Sequence, residues 1–242
     1  RDVTLPAGRA YAPVTVGVWD SGVDAALFGD RVARDASGAP ALIAFDKYSD
    51  PATGELYPLP AGLKDRLPRM TSRLKGFSDL QANVDSAEAG EVKRYLSNLK
   101  PDEYKAAIEE LMAAGNYIHG THVAGIAAAG NPYARIAIAR IEFGHTLQPD
   151  PCPSLALAQK DARNTRAYVE FFRRHRVRVV NMSFGGSVGD VEGQLEQCGI
   201  GRTADERRRI AREWFDIGKE AFVEAMASAP EILFVAAAGN ET

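Results

Sequence analysis

His119-Gly120-Thr121-His122-Val123-Ala124-Gly125 runs directly into Ile126-Ala127-Ala128-Ala129. Two histidines stand three apart, and the residues after them are small or apolar. Read as the opening of a helix, the stretch projects its first histidine from the first turn. The small residues then let the helix lie close to a neighbour. Side chains three apart share a helix face only when both lie within the helix. A histidine so placed is a candidate general base, because its pKa of about 6.5 lets it take and give a proton near neutrality. Two histidines on a small apolar helix can equally be satisfied polar residues of a core. The flanking segments decide between these readings.

Upstream, Pro13 to Trp19 reads as a buried strand rich in β-branched residues, ending in Asp20-Ser21-Gly22. Ala41 to Phe45 reads as a second strand. Residues 23 to 117 are less regular. One helix is expected from about Asp85 to Leu99. Another opens at Pro101-Asp102-Glu103, where proline and acids suit a first turn, and is expected to stop at Gly115.

Downstream, Ala134 to Ile141 reads as a strand. Ser154 caps a helix reaching about His175, whose last turn carries Arg173 and Arg174, cations suited to the negative end of the helix dipole. Val177 to Ser183 is another strand, and a glycine-rich loop is expected from there to Gly201. Thr203-Ala204-Asp205-Glu206 is a capping box that starts a long helix ending before Pro230. Glu231 to Ala238 reads as a last buried strand, delivering Gly239-Asn240.

Strands and helices therefore alternate. That pattern predicts an α/β fold in three layers, a mostly parallel sheet with helices on both faces. Asp20, Ser183 and Asn240 then fall at or beyond strand C-terminal ends on one sheet edge, where such sheets place functional groups. Any one of them alone reads as a turn or cap residue; three on one edge are harder to read that way.

The 242 residues, 45% hydrophobic and 25% charged, suit one large domain. A net charge of −3 gives no nucleic-acid footprint, and no apolar run reaches the roughly 20 residues of a membrane span. The chain opens on Arg1, so it is read as a processed or excised piece, and the lack of a leader is silent on export. Cys152 and Cys198 fit either one disulfide or two free thiols.

Four segments, in this order, resemble the subtilisin-like serine proteases, the subtilase or peptidase S8 family. They are Val18-Trp19-Asp20-Ser21-Gly22, His119 to Gly125, Val180-Asn181-Met182-Ser183-Phe184-Gly185-Gly186, and Val235-Ala236-Ala237-Ala238-Gly239-Asn240. The resemblance implies a subtilisin-like fold and peptide-bond hydrolysis through an Asp-His-Ser triad. By it, Asp20 is the orienting acid, His119 the general base and Asn240 the oxyanion-hole amide. Ser183, Phe184 and Gly185 form the strand that pairs with a peptide or protein substrate, and His122 is a structural neighbour.

The departures from the family pattern are as telling. The nucleophile, carried by the family in a Gly-Thr-Ser segment, is absent from all 242 residues. Residues 1–242 are therefore expected to be a partial peptidase domain, incomplete at the C-terminus and inactive alone, whose partner is the missing C-terminal part of the same domain. Asp20 and His119 are 99 positions apart, longer than compact members use, so about 55–115 is expected to be a helical insertion. Gly130-Asn131-Pro132 leaves no room for a calcium loop. No metal site or cofactor is predicted, although the resemblance allows calcium. It favours a secreted or cell-envelope location, and the sequence itself specifies none.

Three other readings compete. Gly185-Gly186-Ser187-Val188-Gly189 has the spacing of an α/β-hydrolase nucleophile elbow. That fold needs its histidine after the serine, all four histidines precede Ser187, and the following loop does not read as a helix start. A zinc hydrolase would need His-Glu-x-x-His spacing. A non-catalytic subtilase-like binding or scaffold module is the remaining alternative, against which stands the joint presence of Asp20, His119 and Asn240.

Overall fold

The computed structural model describes residues 9–239. Five strands form one parallel sheet: β1 (Val14–Asp20), β2 (Leu42–Phe45), β3 (Ala134–Ile141), β4 (Val177–Met182) and β5 (Leu233–Ala236), in the order β2-β3-β1-β4-β5. Among the described residues six α-helices accompany them: α1 (Leu67–Gln81), α2 (Ala87–Ser97), α3 (Pro101–Ala127), α4 (Leu155–Arg174), α5 (Val188–Gln197) and α6 (Ala204–Ala227).

The central strand β1 is sandwiched, and its alternation divides the core. Val16 and Val18 face α3 and pack with Ile136, Ile138, Val123, Ala124 and Ala128. Trp19 faces the other way, into a layer made by α4 and α6 with Phe172, Val180, Met182 and Ala225. Its ring stacks on Phe222 at 5.2 Å and meets Tyr168 at 4.7 Å. Helices thus cover both faces, and the residue after Trp19 is delivered to the C-terminal edge. A third, smaller core of Leu63, Met70, Leu111, Ala113 and Ala114 joins α1 to the first half of α3.

Four features differ from the sequence reading. The helix opening at Pro101 does not stop at Gly115; α3 runs on to Ala127, so His119 sits about five turns inside it and not in its first turn. An interior glycine costs about 1 kcal/mol, but burial of Leu111, Ala113 and Ala114 before it and of Val123 and Ala124 after it outweighs that.

The expected loop between β4 and Gly201 contains α5. Ser187 caps it, accepting the Asp190 N–H while Asp190 accepts the Ser187 N–H, a capping box that the surrounding glycines disguise. Ser187→Ala should therefore destabilise the fold by about 1 kcal/mol, read as a shift in denaturation midpoint. Across the fold, Glu206 closes no box with Thr203; its carboxylate accepts the Arg202 N–H.

The last strand is not buried. β5 lies at the sheet edge, and Leu233 and Val235, on the α3 side of the sheet, are 62% and 44% exposed. Cys152 and Cys198 form a disulfide, which ties the end of α5 to the loop before α4.

Candidate active site

Asp20 is the final residue of β1 and is wholly buried. A carboxylate there needs donors, and the chain supplies them locally. Its Oδ1 accepts the Ser21 N–H at 2.7 Å and the Ser21 hydroxyl at 3.1 Å. The third bond comes from 99 positions away: His119 Nδ1 lies 2.7 Å from Asp20 Oδ1.

That contact depends on how closely α3 approaches the turn after β1. Gly120 makes the approach. A Cβ on Gly120 would fall 2.2 Å from the Gly22 carbonyl oxygen and 3.1 Å from Asp20 Oδ1. Two further bonds fasten the contact: the Gly120 N–H donates to the Ser21 hydroxyl at 3.1 Å, and the Asp24 N–H to the Thr121 hydroxyl at 3.0 Å. Sequence reasoning attributes the close approach to the small residues after His122; it does not single out Gly120, nor find Ser21 and Thr121 as fasteners of the dyad. The Ser/Thr pairing is visible only once the two segments are known to touch.

With Nδ1–H donated to Asp20, the other ring nitrogen is left as the basic one. The His119 side chain is half exposed, so that nitrogen can face a substrate. The Asp20 hydrogen bond raises the His119 pKa above its ordinary 6.5, against the opposing effect of burial. A histidine raised in the folded state stabilises the fold below pH 6.5, and that contribution is lost as pH rises through the folded value. In Asp20→Asn, His119 should titrate at a lower pH than in the wild type, measured by NMR; an unchanged midpoint would mean the contact is not made in solution.

His122, read as a structural neighbour, is exposed, and its side chain makes no hydrogen bond among the described residues. Ser183, Phe184 and Gly185 follow β4 directly, on the same edge as Asp20. Ser183 donates to Asn181 Oδ1 at 2.9 Å, and Phe184 packs edge-on against Trp19 at 5.7 Å. No main-chain hydrogen bond among the described residues uses the N–H or C=O of Phe184 or Gly185. Asn240 lies outside the described residues; Gly239 before it has φ of 100°, which a side chain would resist.

Ser187, the elbow candidate, is spent on its cap: its hydroxyl lies 2.9 Å from Asp190 Oδ2 and accepts the Asp190 N–H. Among the described residues no three His, Cys, Asp or Glu side chains cluster as a metal site, and no helix is long and apolar enough to cross a membrane.

The model of the subtilase family of peptidases matches residues 12–242. The chain belongs to the subtilase family. Searches of curated proteins and of solved structures each returned no match. Subtilases are serine peptidases, so this subtilase chain belongs to a hydrolase family acting on peptides. The five-stranded parallel sheet with helices on both faces agrees with that membership.

Proposed function

We propose that this chain supplies the base and its orienting acid, together with part of the substrate cleft, of a serine endopeptidase. The observation that carries the reading is the 2.7 Å bond between His119 Nδ1 and the buried Asp20 carboxylate. In this role Asp20 fixes the imidazole tautomer and stabilises the imidazolium. His119 takes the proton of a serine hydroxyl as that oxygen attacks the peptide carbonyl, and returns it to the leaving amine. Water then releases the acyl group by the same base. Asn240 would donate its amide to the oxyanion, an interaction worth roughly 3–4 kcal/mol in sites of this kind.

The unpaired main chain of Phe184 and Gly185 suits a peptide added as an extra strand, with affinity from backbone bonds and selectivity from side-chain pockets. No hydroxyl among the described residues bonds to His119, and no Gly-Thr-Ser occurs in the sequence. The nucleophile is therefore assigned to a segment beyond residue 242, and the 242-residue chain alone is expected to be inactive. That segment would also cover the apolar sheet face at Leu233 and Val235. The helices between residues 55 and 115, with their own small core, are read as an insertion on the rim.

Treating the longer protein with a fluorophosphonate and locating the adduct by mass spectrometry tests the reading. A single serine beyond residue 242 should be modified. A correctly folded protein that is not modified would be a scaffold and not a peptidase.

A further inference from the structure

Arg140 is the penultimate residue of β3 and the register partner of Asp20. Alternation places both on the α3 side of the sheet, with Ile136, Ile138, Val16 and Val18. Arg140 is 2% exposed. Burying a guanidinium is costly unless it is paired and hydrogen-bonded. Arg140 Nε donates to the Gly54 carbonyl at 3.0 Å and its Nη2 to the Thr53 carbonyl at 3.5 Å, while Nη1 makes no hydrogen bond and is 3.6 Å from the Glu142 carboxylate as an ion pair.

The next residue along, Glu55, is what touches the turn after Asp20. Its carbonyl accepts the Val23 N–H at 2.8 Å, and its carboxylate accepts the Ala25 N–H at 3.2 Å. Gly22 lies against the same carbonyl, so close that a Cβ on it would stand 2.6 Å from the oxygen. The turn from Asp20 to Val23 is thus gripped from two sides. One side is α3, through Gly120 and Thr121. The other is the loop at residues 53–57, and a buried guanidinium fastens that loop to the sheet.

We propose that Arg140 is a positioning residue for Asp20. It pins the Thr53–Gly54 carbonyls, the pinned loop sets the Gly22–Val23 turn through Glu55, and the turn holds the Asp20 carboxylate against His119. The proposal rests on reading Asp20 and His119 as the working dyad. Two adjacent carbonyls held by Nε and Nη2, with a carboxylate beside Nη1, suit the planar fork of a guanidinium; a lysine ammonium presents a single point and cannot span both carbonyls in the same way.

The test compares wild type with Arg140→Lys and Arg140→Met by amide exchange and by NMR titration of His119. In both variants the Val16 and Val18 amides of β1 should stay protected. The Val23 amide should exchange about tenfold faster, the order expected for losing hydrogen bonds to a charged group. The His119 midpoint should fall toward 6.5, further in the methionine variant than in the lysine one. A folded Arg140→Lys with Val23 exchange and the His119 midpoint both unchanged would overturn the proposal. Faster Val23 exchange without a shifted His119 midpoint would overturn it too, leaving Arg140 a plain loop anchor. If Arg140→Met loses all protection, the lysine variant alone decides. Neither readout needs peptidase activity, so a failure of the protease reading would be seen separately, in the fluorophosphonate experiment.

Discussion

Asp20→Asn, made in the peptidase carrying its nucleophile, should lower kcat/KM by about 10⁴, and His119→Ala by at least as much. These magnitudes are carried over from triads of this class, subtilisin among them. A factor of 10⁴ corresponds to roughly 5.5 kcal/mol of transition-state stabilisation. The asparagine is nearly isosteric, so the fold should survive. What changes is the tautomer. An amide can present its N–H to Nδ1, and the proton then moves to the nitrogen that should act as base. The loss should appear in kcat more than in KM, because the proposed substrate strand is Phe184–Gly185 and Asp20 is buried behind His119. Making the two substitutions together should cost little more than the worse one, since they disable one unit. An Asp20→Asn enzyme within tenfold of wild type would remove Asp20 from the mechanism.

The second large effect is conformational. Gly120→Ala should destabilise the protein by about 2–3 kcal/mol, although alanine favours a helix over glycine by about 1 kcal/mol. Its methyl group would meet the Gly22 carbonyl at 2.2 Å, and backbone on both sides must then separate. The separation pulls His119 from Asp20, so the raised His119 pKa should fall with stability. Gly125 lies in the same helix, and a methyl group there would meet nothing within 4 Å. Gly125→Ala should gain up to about 1 kcal/mol. Denaturation midpoints of the two variants should therefore move in opposite directions. Shifts of the same sign would mean that the close approach of α3 to the turn is not the constraint at Gly120.

Much of the fold is legible in sequence because its strands are short, apolar and β-branched, and end at turn glycines. β1, β3 and β4 are of this kind, and their order with the intervening helices specifies a parallel sheet. The failures have local causes. Gly115 reads as a stop because glycine is a poor helix former, and nothing nearby in sequence tells that Leu111 and Ala113 are buried in one core and Val123 in another. Gly189 and Gly193 hide α5, whose start is visible only as the Ser187–Asp190 cap. Leu233 and Val235 read as buried because apolar residues in a strand usually are; whether another layer covers them is not written in their own segment.

The site divides in the same way. Asp20 and His119 are recognisable as residue types in motifs. Their joining is what the family resemblance implies; the hydrogen bonds of Ser21 and Thr121 and the contacts of Arg140 depend on segments far apart in the chain. Arg140 in particular looks like an exposed residue of an alternating strand, and its burial emerges only when the loop at residues 53–57 closes over it.

The pH dependence of fluorophosphonate acylation in the longer protein tests most directly whether His119 is the base. The rate should rise with the neutral fraction of His119, with a midpoint above 6.5 that coincides with the NMR titration of that ring. A rate that ignores the titration of His119 would contradict the assignment.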